Sequence, residues 1–90
     1  MSEAGLVVTY RNGRPLAAYY HLAGGVGRKI HRSRELEPGL VVDFARNGDP
    51  IGIEITSPRI VTLAALNRVL KGLGLPLLKR GEIAPLRAAS

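Results

Sequence analysis

Two apolar segments that flank an Asn-Gly pair constrain the fold more than any other feature of the chain. Leu40–Phe44 is apolar and rich in β-branched residues, whereas Ile51–Ile55 alternates apolar residues with other types. Asn47-Gly48 lies between them, and Asn-Gly accepts the positive φ angles that a two-residue hairpin turn requires. We therefore predict a central β-hairpin over residues 40–55. The predicted pairs are Phe44 with Ile51, Val42 with Ile53, and Leu40 with Ile55.

This pairing gives the central hairpin two different faces, because successive side chains of a strand point to opposite sides of the sheet. The paired apolar side chains share one face and would form the core. Asp43, Gly52 and Glu54 would lie on the other face. A glycine within a strand often marks a place where a ligand or another backbone approaches closely, and Gly52 is such a candidate.

A second hairpin is predicted over residues 6–21, because residues 6–16 repeat the pattern of residues 40–51 with one residue fewer. A shift of one residue would exchange the two faces of a strand. A three-residue loop with Gly13 in the left-handed region would restore the phase. The expected pairs are then Val8 with Leu16 and Leu6 with Ala18. The repeat is explained equally well by a duplication and by the limited vocabulary of hairpins.

A helix is predicted over residues 62–73, after the sheet. Leucines recur there at spacings of three and four, Thr62 is a suitable N-cap, and Gly74 followed by Pro76 ends the pattern. The following residues, 74–90, form an apolar and basic tail that either returns to the sheet or meets a partner. The predicted fold is α+β: a small antiparallel sheet of two hairpins plus a polar edge strand, covered on one face by a C-terminal helix.

Length and composition limit the alternatives. Ninety residues suffice for one domain, 1–90, and there is no cysteine, so disulfides and thiolate metal sites are excluded. No segment reaches the roughly 20 apolar residues of a membrane span. We expect a cytoplasmic protein that does not bind membranes.

Part of the chain resembles a known family. Lys29–Phe44, with Gly48 and the Gly-Ile-Glu-Ile of residues 52–55, shows a basic–apolar start, an acid-Pro-Gly turn, an apolar strand and a second turn ending in glycine. This pattern resembles a family of small prokaryotic proteins that is classified as a domain of unknown function (family 2283). The resemblance implies a small antiparallel sheet and supplies no catalytic residues. The Asn-Gly turn departs from the more acidic turn that is common in the family.

The net charge of +6 is unevenly distributed, with excess cations in the segment 28–36 and in the last third of the chain. The segment 28–36 is interpreted as a basic connector or an edge strand. Its cations could bind nucleic acid, as in an antitoxin-like protein, or could simply keep the surface solvated. No aromatic residues lie among them to stack on bases. The candidate basic patch consists of Arg28, Lys29, Arg32 and Arg34.

No residue pattern indicates catalysis, a cofactor or a metal. His21 and His31 do not form a metal-ligand pair by spacing, and neither Ser33 nor Ser57 has a histidine at a suggestive distance. Asp43 and Glu54 lie near one another but more often act as solvated charges than as an acid–base pair. We predict that the chain is not an enzyme, with no catalytic, cofactor-binding or metal-binding residues.

Binding remains as the predicted function. A single helix covers only one face of such a sheet, and the other face is too poor in charge for a fully solvated surface. We predict a non-enzymatic protein-interaction module that self-associates as a homodimer or binds a small protein partner, through this face or through a sheet edge. The alternatives are a basic nucleic-acid-binding or antitoxin-like protein, and an ordinary solvated face. The candidate interface consists of Val7, Thr9, Tyr19, Val41, Asp43, Gly52 and Glu54.

Overall fold

A computed structural model describes residues 5–86, which form an α+β fold with one five-stranded antiparallel sheet. The predicted fold class is confirmed. The strands are arranged in the order β1-β2-β5-β4-β3, so β1 and β3 are the edges. The elements are β1 (Gly5–Arg11), β2 (Arg14–His21), β3 (Arg32–Glu37), β4 (Leu40–Phe44), β5 (Pro50–Ile55), α1 (Leu63–Gly72) and a 3₁₀ helix (Arg80–Leu86).

The central hairpin forms with most of the predicted pairing but with a different turn. Leu40 pairs with Ile55 and Val42 with Ile53, as predicted, whereas Phe44 pairs with Pro50 rather than with Ile51. The strands are joined by a longer loop, in which the Ala45 N–H donates to the Asp49 carbonyl (2.9 Å) and the Gly48 N–H to the Ala45 carbonyl (2.9 Å).

Only the glycine of the Asn47-Gly48 pair has a positive φ, 93° at Gly48. The predicted two-residue turn is therefore wrong. The additional residue, Ala45, lengthens the connection, and a longer loop needs just one left-handed residue at its end. Asn47 acts through its side chain instead, because its Oδ1 accepts a hydrogen bond from the Asp49 N–H (3.1 Å).

The first hairpin has the short turn that we predicted for the other one. Asn12 (φ 52°) and Gly13 (φ 75°) are both left-handed, and Arg11 pairs with Arg14. The predicted pairs of this hairpin are wrong. The observed pairs are Val8 with Ala18 and Leu6 with Tyr20.

A bulge within β2, and not a longer loop, keeps the apolar side chains of the first hairpin on one face of the sheet. Thr9 pairs with Ala17 but Tyr10 with Pro15, so Leu16 is an unpaired bulge residue. The side chain of Leu16 is 52% exposed. A bulge and a longer loop solve the same register problem, and the sequence pattern alone did not distinguish them.

The hydrophobic core lies between one sheet face and the C-terminal segments. Leu66, Val69 and Leu70 of α1 are buried against this face. The tail returns to the same side, because Leu78, Ile83 and Leu86 belong to the same buried cluster. The last residues of the predicted tail, 87–90, lie outside the described part of the chain. The sheet residues of this core are Ala18, Tyr20, Leu40, Val42, Ile53 and Ile55.

Local signals fix both ends of α1. The Thr62 side chain accepts a hydrogen bond from the Ala65 N–H (3.0 Å), as predicted for the N-cap. At the other end, the Leu75 N–H donates to the Leu70 carbonyl (2.9 Å) and the Gly74 N–H to the Lys71 carbonyl (3.1 Å), which is a Schellman motif. Gly74 takes the left-handed conformation that this motif requires.

The predicted basic segment 28–36 contains two kinds of structure. Residues 28–31 precede the sheet without forming a strand, and β3 begins at Arg32 and forms a polar edge. Within residues 5–86, no helix is long and apolar enough to cross a membrane.

Candidate functional site

The candidate site is the sheet face on the side away from α1, which we call the open face. Strand pairing places its side chains in two rows that run across the sheet. One row contains Val7, Tyr19, Glu54, Val41 and Glu35. The next row contains Gly5, His21, Gly52, Asp43 and Ser33.

All residues of the predicted interface lie on this face. Six of them belong to the two rows, and Thr9 follows in the next row, opposite Ala17. The pairing therefore brings together residues from four strands that were grouped from the sequence by alternation alone. Their role in binding stays a prediction.

A hydrogen-bonded cluster lies on the open face around Asp43, which is 5% exposed. The Tyr19 hydroxyl donates to Asp43 Oδ2 (2.8 Å), and the Ser33 hydroxyl donates to Asp43 Oδ1 (2.5 Å). Both carboxylate oxygens thus accept a hydrogen bond from a different strand, which satisfies a buried charge that would otherwise be costly. The cluster ties β2 and β3 to β4 across the sheet.

Gly52 makes this cluster possible. A Cβ atom at this position would overlap the hydroxyl and two ring carbons of Tyr19. The ring therefore crosses over Gly52 on its way to Asp43, and the space that we expected to be open to a ligand or a second backbone is filled by Tyr19. The His21 ring packs against the same tyrosine at a centroid distance of 4.7 Å and an interplanar angle of 63°.

The surroundings of Tyr19 favour its neutral form. Burial is the largest effect that raises the pKa of its hydroxyl well above the ordinary value, followed by the hydrogen bond to Asp43 and the negative charges of Asp43 and Glu54. The hydroxyl therefore stays a hydrogen-bond donor throughout the neutral and mildly alkaline range.

The two rows of the open face are half apolar and acidic. Val7 is 53% exposed, and Val41 is half-buried between Glu35 and Glu54. Together with Asp43 these glutamates place three carboxylates in the two rows, which contain no lysine or arginine. Glu35 accepts a hydrogen bond from the Gly39 N–H (3.0 Å), whereas Glu54 makes no ion pair within residues 5–86.

The candidate basic patch lies elsewhere. Arg28 forms an ion pair with Asp49 (3.2 Å) at the central hairpin loop. Arg32 and Arg34 are exposed on β3, where they pair with residues of the covered face and not of the open face. Lys29 is exposed in the segment before β3. The function of this patch stays a prediction.

The sequence did not indicate the roles of two residues at the Asp43 cluster, Ser33 and His21. Ser33 was considered only as a nucleophile, and His21 only as a metal ligand. Pairing the polar edge strand with β4 would have placed Ser33 opposite Asp43, which is the register observed. In the described part of the chain, no three histidine or acidic side chains lie close enough together to hold a metal ion.

One family model matches part of the chain. The family model described as "Protein of unknown function (DUF2283)" matches residues 17–57. The predicted resemblance to this family is confirmed, and the match includes the second half of β2 and all of β3 to β5, with all members of the Asp43 cluster. Comparison with curated proteins and with solved structures gave no significant match.

Proposed function

We propose that the chain is a non-enzymatic protein-interaction module whose open face binds a cationic segment of a protein partner. The main support for this proposal is the position of the two helical elements relative to the sheet. Both α1 and the 3₁₀ helix pack against the same sheet face, so the opposite face has no cover within residues 5–86. This open face combines exposed or half-buried apolar side chains with three carboxylates.

A non-enzymatic role is supported by how the reactive groups are used. Both oxygens of Asp43 accept hydrogen bonds from hydroxyl groups, and the residue is buried, so this carboxylate is poorly accessible to a substrate that would need a general base. The raised pKa of Tyr19 disfavours the phenolate form. These groups join strands, and no second acid or base contacts them within hydrogen-bonding distance in the described structure.

A protein surface is a suitable occupant because the open face extends across all five strands. Val7, Val41 and Tyr19 lie among polar residues on the open face. This mixture of apolar and polar surface is similar to that of interfaces between partners that can dissociate. A standard interface buries about 800 Å² per partner, which one face of a five-stranded sheet can supply.

The charges favour a cationic partner over a second copy on this face. Stacking two open faces would bring the exposed Glu35 and Glu54 of both copies into one interface, and like charges there are unfavourable. A segment with lysine or arginine would instead find complementary carboxylates. The same carboxylates repel phosphates, so nucleic acid is not the proposed occupant of the open face.

A random peptide library displayed on phage provides a defined probe of this proposal. We expect selected peptides to be rich in lysine and arginine. Binding of a selected synthetic peptide, measured by calorimetry, should weaken by at least tenfold in a Glu35→Gln/Glu54→Gln variant. Both side chains are solvent-exposed, so the variant should remain folded.

Glu82→Gln is the matched control, because Glu82 is an exposed glutamate of the 3₁₀ helix on the other side of the sheet. It should leave peptide binding unchanged. Selected peptides without cations, or equal binding by the double variant and the wild type, would overturn the proposal. A failure to select any binding peptide would also overturn it and would favour an ordinary solvated face.

A further inference from the structure

The two edges of the sheet differ strongly in how well they are protected from pairing with another strand. An edge strand presents unpaired N–H and C=O groups, and natural proteins protect such edges with charges and bulges. On β3, the charged side chains are Arg32, Arg34, Glu35 and Glu37, and the register shifts between the two glutamates. The β3 edge is therefore well protected.

The β1 edge has few of these protections, although the 3₁₀ helix contacts it where the Tyr10 hydroxyl donates to the Pro85 carbonyl (3.2 Å). Its sequence is Gly-Leu-Val-Val-Thr-Tyr-Arg, and Arg11 at its end is its only charged residue. The bulge of the first hairpin lies at Leu16 on β2, so β1 itself is regular over its whole length. Within residues 5–86, β1 pairs only with β2 and its outer side faces no other strand.

We propose that β1 pairs with β1 of a second copy in antiparallel register centred on Val8, which joins two sheets into one of ten strands. A two-fold axis normal to the sheet does not exchange the two faces of the sheet. Each β1 residue must therefore pair with a residue of the second copy whose side chain lies on the same face. Val8 is the middle residue of Gly5–Arg11, and centring the axis there uses the whole strand.

This register is self-complementary. On the open face, Val7 lies opposite Thr9 of the second copy, and both are residues that favour strands. On the covered face, Leu6 lies opposite Tyr10 of the second copy, an aliphatic–aromatic pair of the kind that stabilises sheets. No charged residues meet within the central five pairs. On the β3 edge, an axis at Arg34 would place the Arg34 side chains of both copies opposite one another, and an axis at Glu35 would do the same with Glu35.

The resulting dimer is weak, because strand pairing alone buries less than the roughly 800 Å² per partner of a standard interface. Its affinity comes mainly from main-chain hydrogen bonds, as in other cases of strand addition. The dimer leaves the open faces accessible and does not depend on the proposed binding of a cationic segment.

Sedimentation velocity over a concentration series reaching the high-micromolar range tests the dimer. The wild type should shift from monomer to dimer. A Val7→Lys/Thr9→Lys variant should stay monomeric throughout, because each introduced lysine would face another. A Val7→Lys/Thr9→Glu variant should regain the dimer, because each lysine then faces a glutamate. Both positions are exposed, so each variant should keep the circular dichroism spectrum of the wild type.

Hydrogen exchange locates the contact independently. Amides of β1 should become more protected as the concentration rises, whereas amides of the equally exposed edge β3 should not change. Val26→Lys/Ile60→Lys, two exposed apolar residues outside the sheet, is the control and should dimerise normally. A monomeric wild type, or a dimer that persists in the double-lysine variant, would overturn the proposal. Glu35→Gln/Glu54→Gln should leave dimerisation intact, which separates this proposal from the proposed function.

Discussion

The ring of Tyr19 lies across Gly52, in the space that any larger residue at position 52 would need for its Cβ atom. This contact allows the tyrosine hydroxyl to reach Asp43 two strands away, at 2.8 Å. The glycine is thus required by the packing of a neighbouring side chain, since its own φ lies outside the left-handed region.

Gly52→Ala should destabilise the protein by about 1–3 kcal/mol, because the added methyl group overlaps the Tyr19 ring and forces it away from Asp43. Urea unfolding measures the loss. Gly72→Ala is the control, since a Cβ at Gly72 meets no atom within 4 Å and this position lies in a helix. It should be neutral or slightly stabilising.

The same contact predicts non-additive effects. In a Tyr19→Ala background the overlap is absent, so Gly52→Ala should cost clearly less than it does in the wild type. Equal costs in both backgrounds would show that the Tyr19 ring is not the reason for a glycine at position 52.

The sequence predicted which residues share the open face, because alternation along each strand needs no knowledge of neighbouring strands. It did not predict the Asp43 cluster, which depends on the order of the strands and on the register between them. Tyr19 and Asp43 lie in strands separated by β5, and Ser33 lies on an edge whose pairing the sequence left undefined. Side chains from three strands meet only once those relationships are fixed.

The two turns illustrate a similar limit. Gly13 and Gly48 were both expected to have positive φ, and both do. The predicted turn lengths were assigned to the wrong hairpins. The sequence correctly indicated that the hairpins differ by one residue, but the longer loop was expected in the first hairpin and occurs in the central one. A bulge at Leu16 compensates within the strands, and nothing in its own sequence marks it.

A substitution pair distinguishes the observed turns from the predicted ones. Asn12 needs a left-handed backbone, whereas Asn47 does not. Asn12→Gly should therefore preserve or increase stability, since glycine adopts this conformation without steric cost. Asn47→Gly should decrease stability, because it removes the hydrogen bond to the Asp49 N–H and adds backbone freedom. Thermal unfolding of the two variants measures the difference, and identical effects would contradict the assignment of the turns.

Alkaline pH should weaken the fold through Tyr19. Its pKa is raised in the folded protein above the ordinary value of 10.0, so folding favours the protonated hydroxyl. The stabilisation is complete below pH 10.0 and is lost as the pH rises toward the higher folded-state pKa. Tyr19→Phe should reduce this pH dependence. The free energy of unfolding in urea, measured from neutral pH to roughly one unit above the ordinary pKa of tyrosine, would reveal the difference.

Tyr20 must be separated from this effect, because burial and the charge of Glu82 also raise its pKa. Tyr20→Phe provides the matched comparison and should leave the contribution of Tyr19 in place. If Tyr19→Phe has the same pH profile as the wild type, the burial of Tyr19 and its hydrogen bond to Asp43 do not raise its pKa as described.

Two hydrogen bonds of the Asn67 side chain connect α1 to the backbone of Leu78 in the tail. Its Nδ2 donates to the Leu78 carbonyl (3.0 Å), and its Oδ1 accepts from the Leu78 N–H (2.8 Å). Asn67→Ala should cost about 2–4 kcal/mol, because it leaves two backbone groups of a buried residue without partners. Arg68→Ala, on the exposed neighbour, should stay close to the wild type. Hydrogen exchange should show weaker protection of residues 78–86 only in the Asn67 variant.

The basic patch should bind duplex DNA only weakly and without sequence preference. Arg28 is already engaged by Asp49, and the exposed Arg32 and Arg34 belong to an edge strand whose own sequence has no aromatic residue to stack on bases. Phe44, which pairs with Arg32, packs against the core. Contacts to phosphates alone release counterions, so the measured affinity should fall steeply as the salt concentration rises. Fluorescence anisotropy at low and physiological salt tests this. Tight, sequence-selective binding at physiological salt that is lost in Arg32→Ala/Arg34→Ala would contradict the prediction and make nucleic acid the preferred partner.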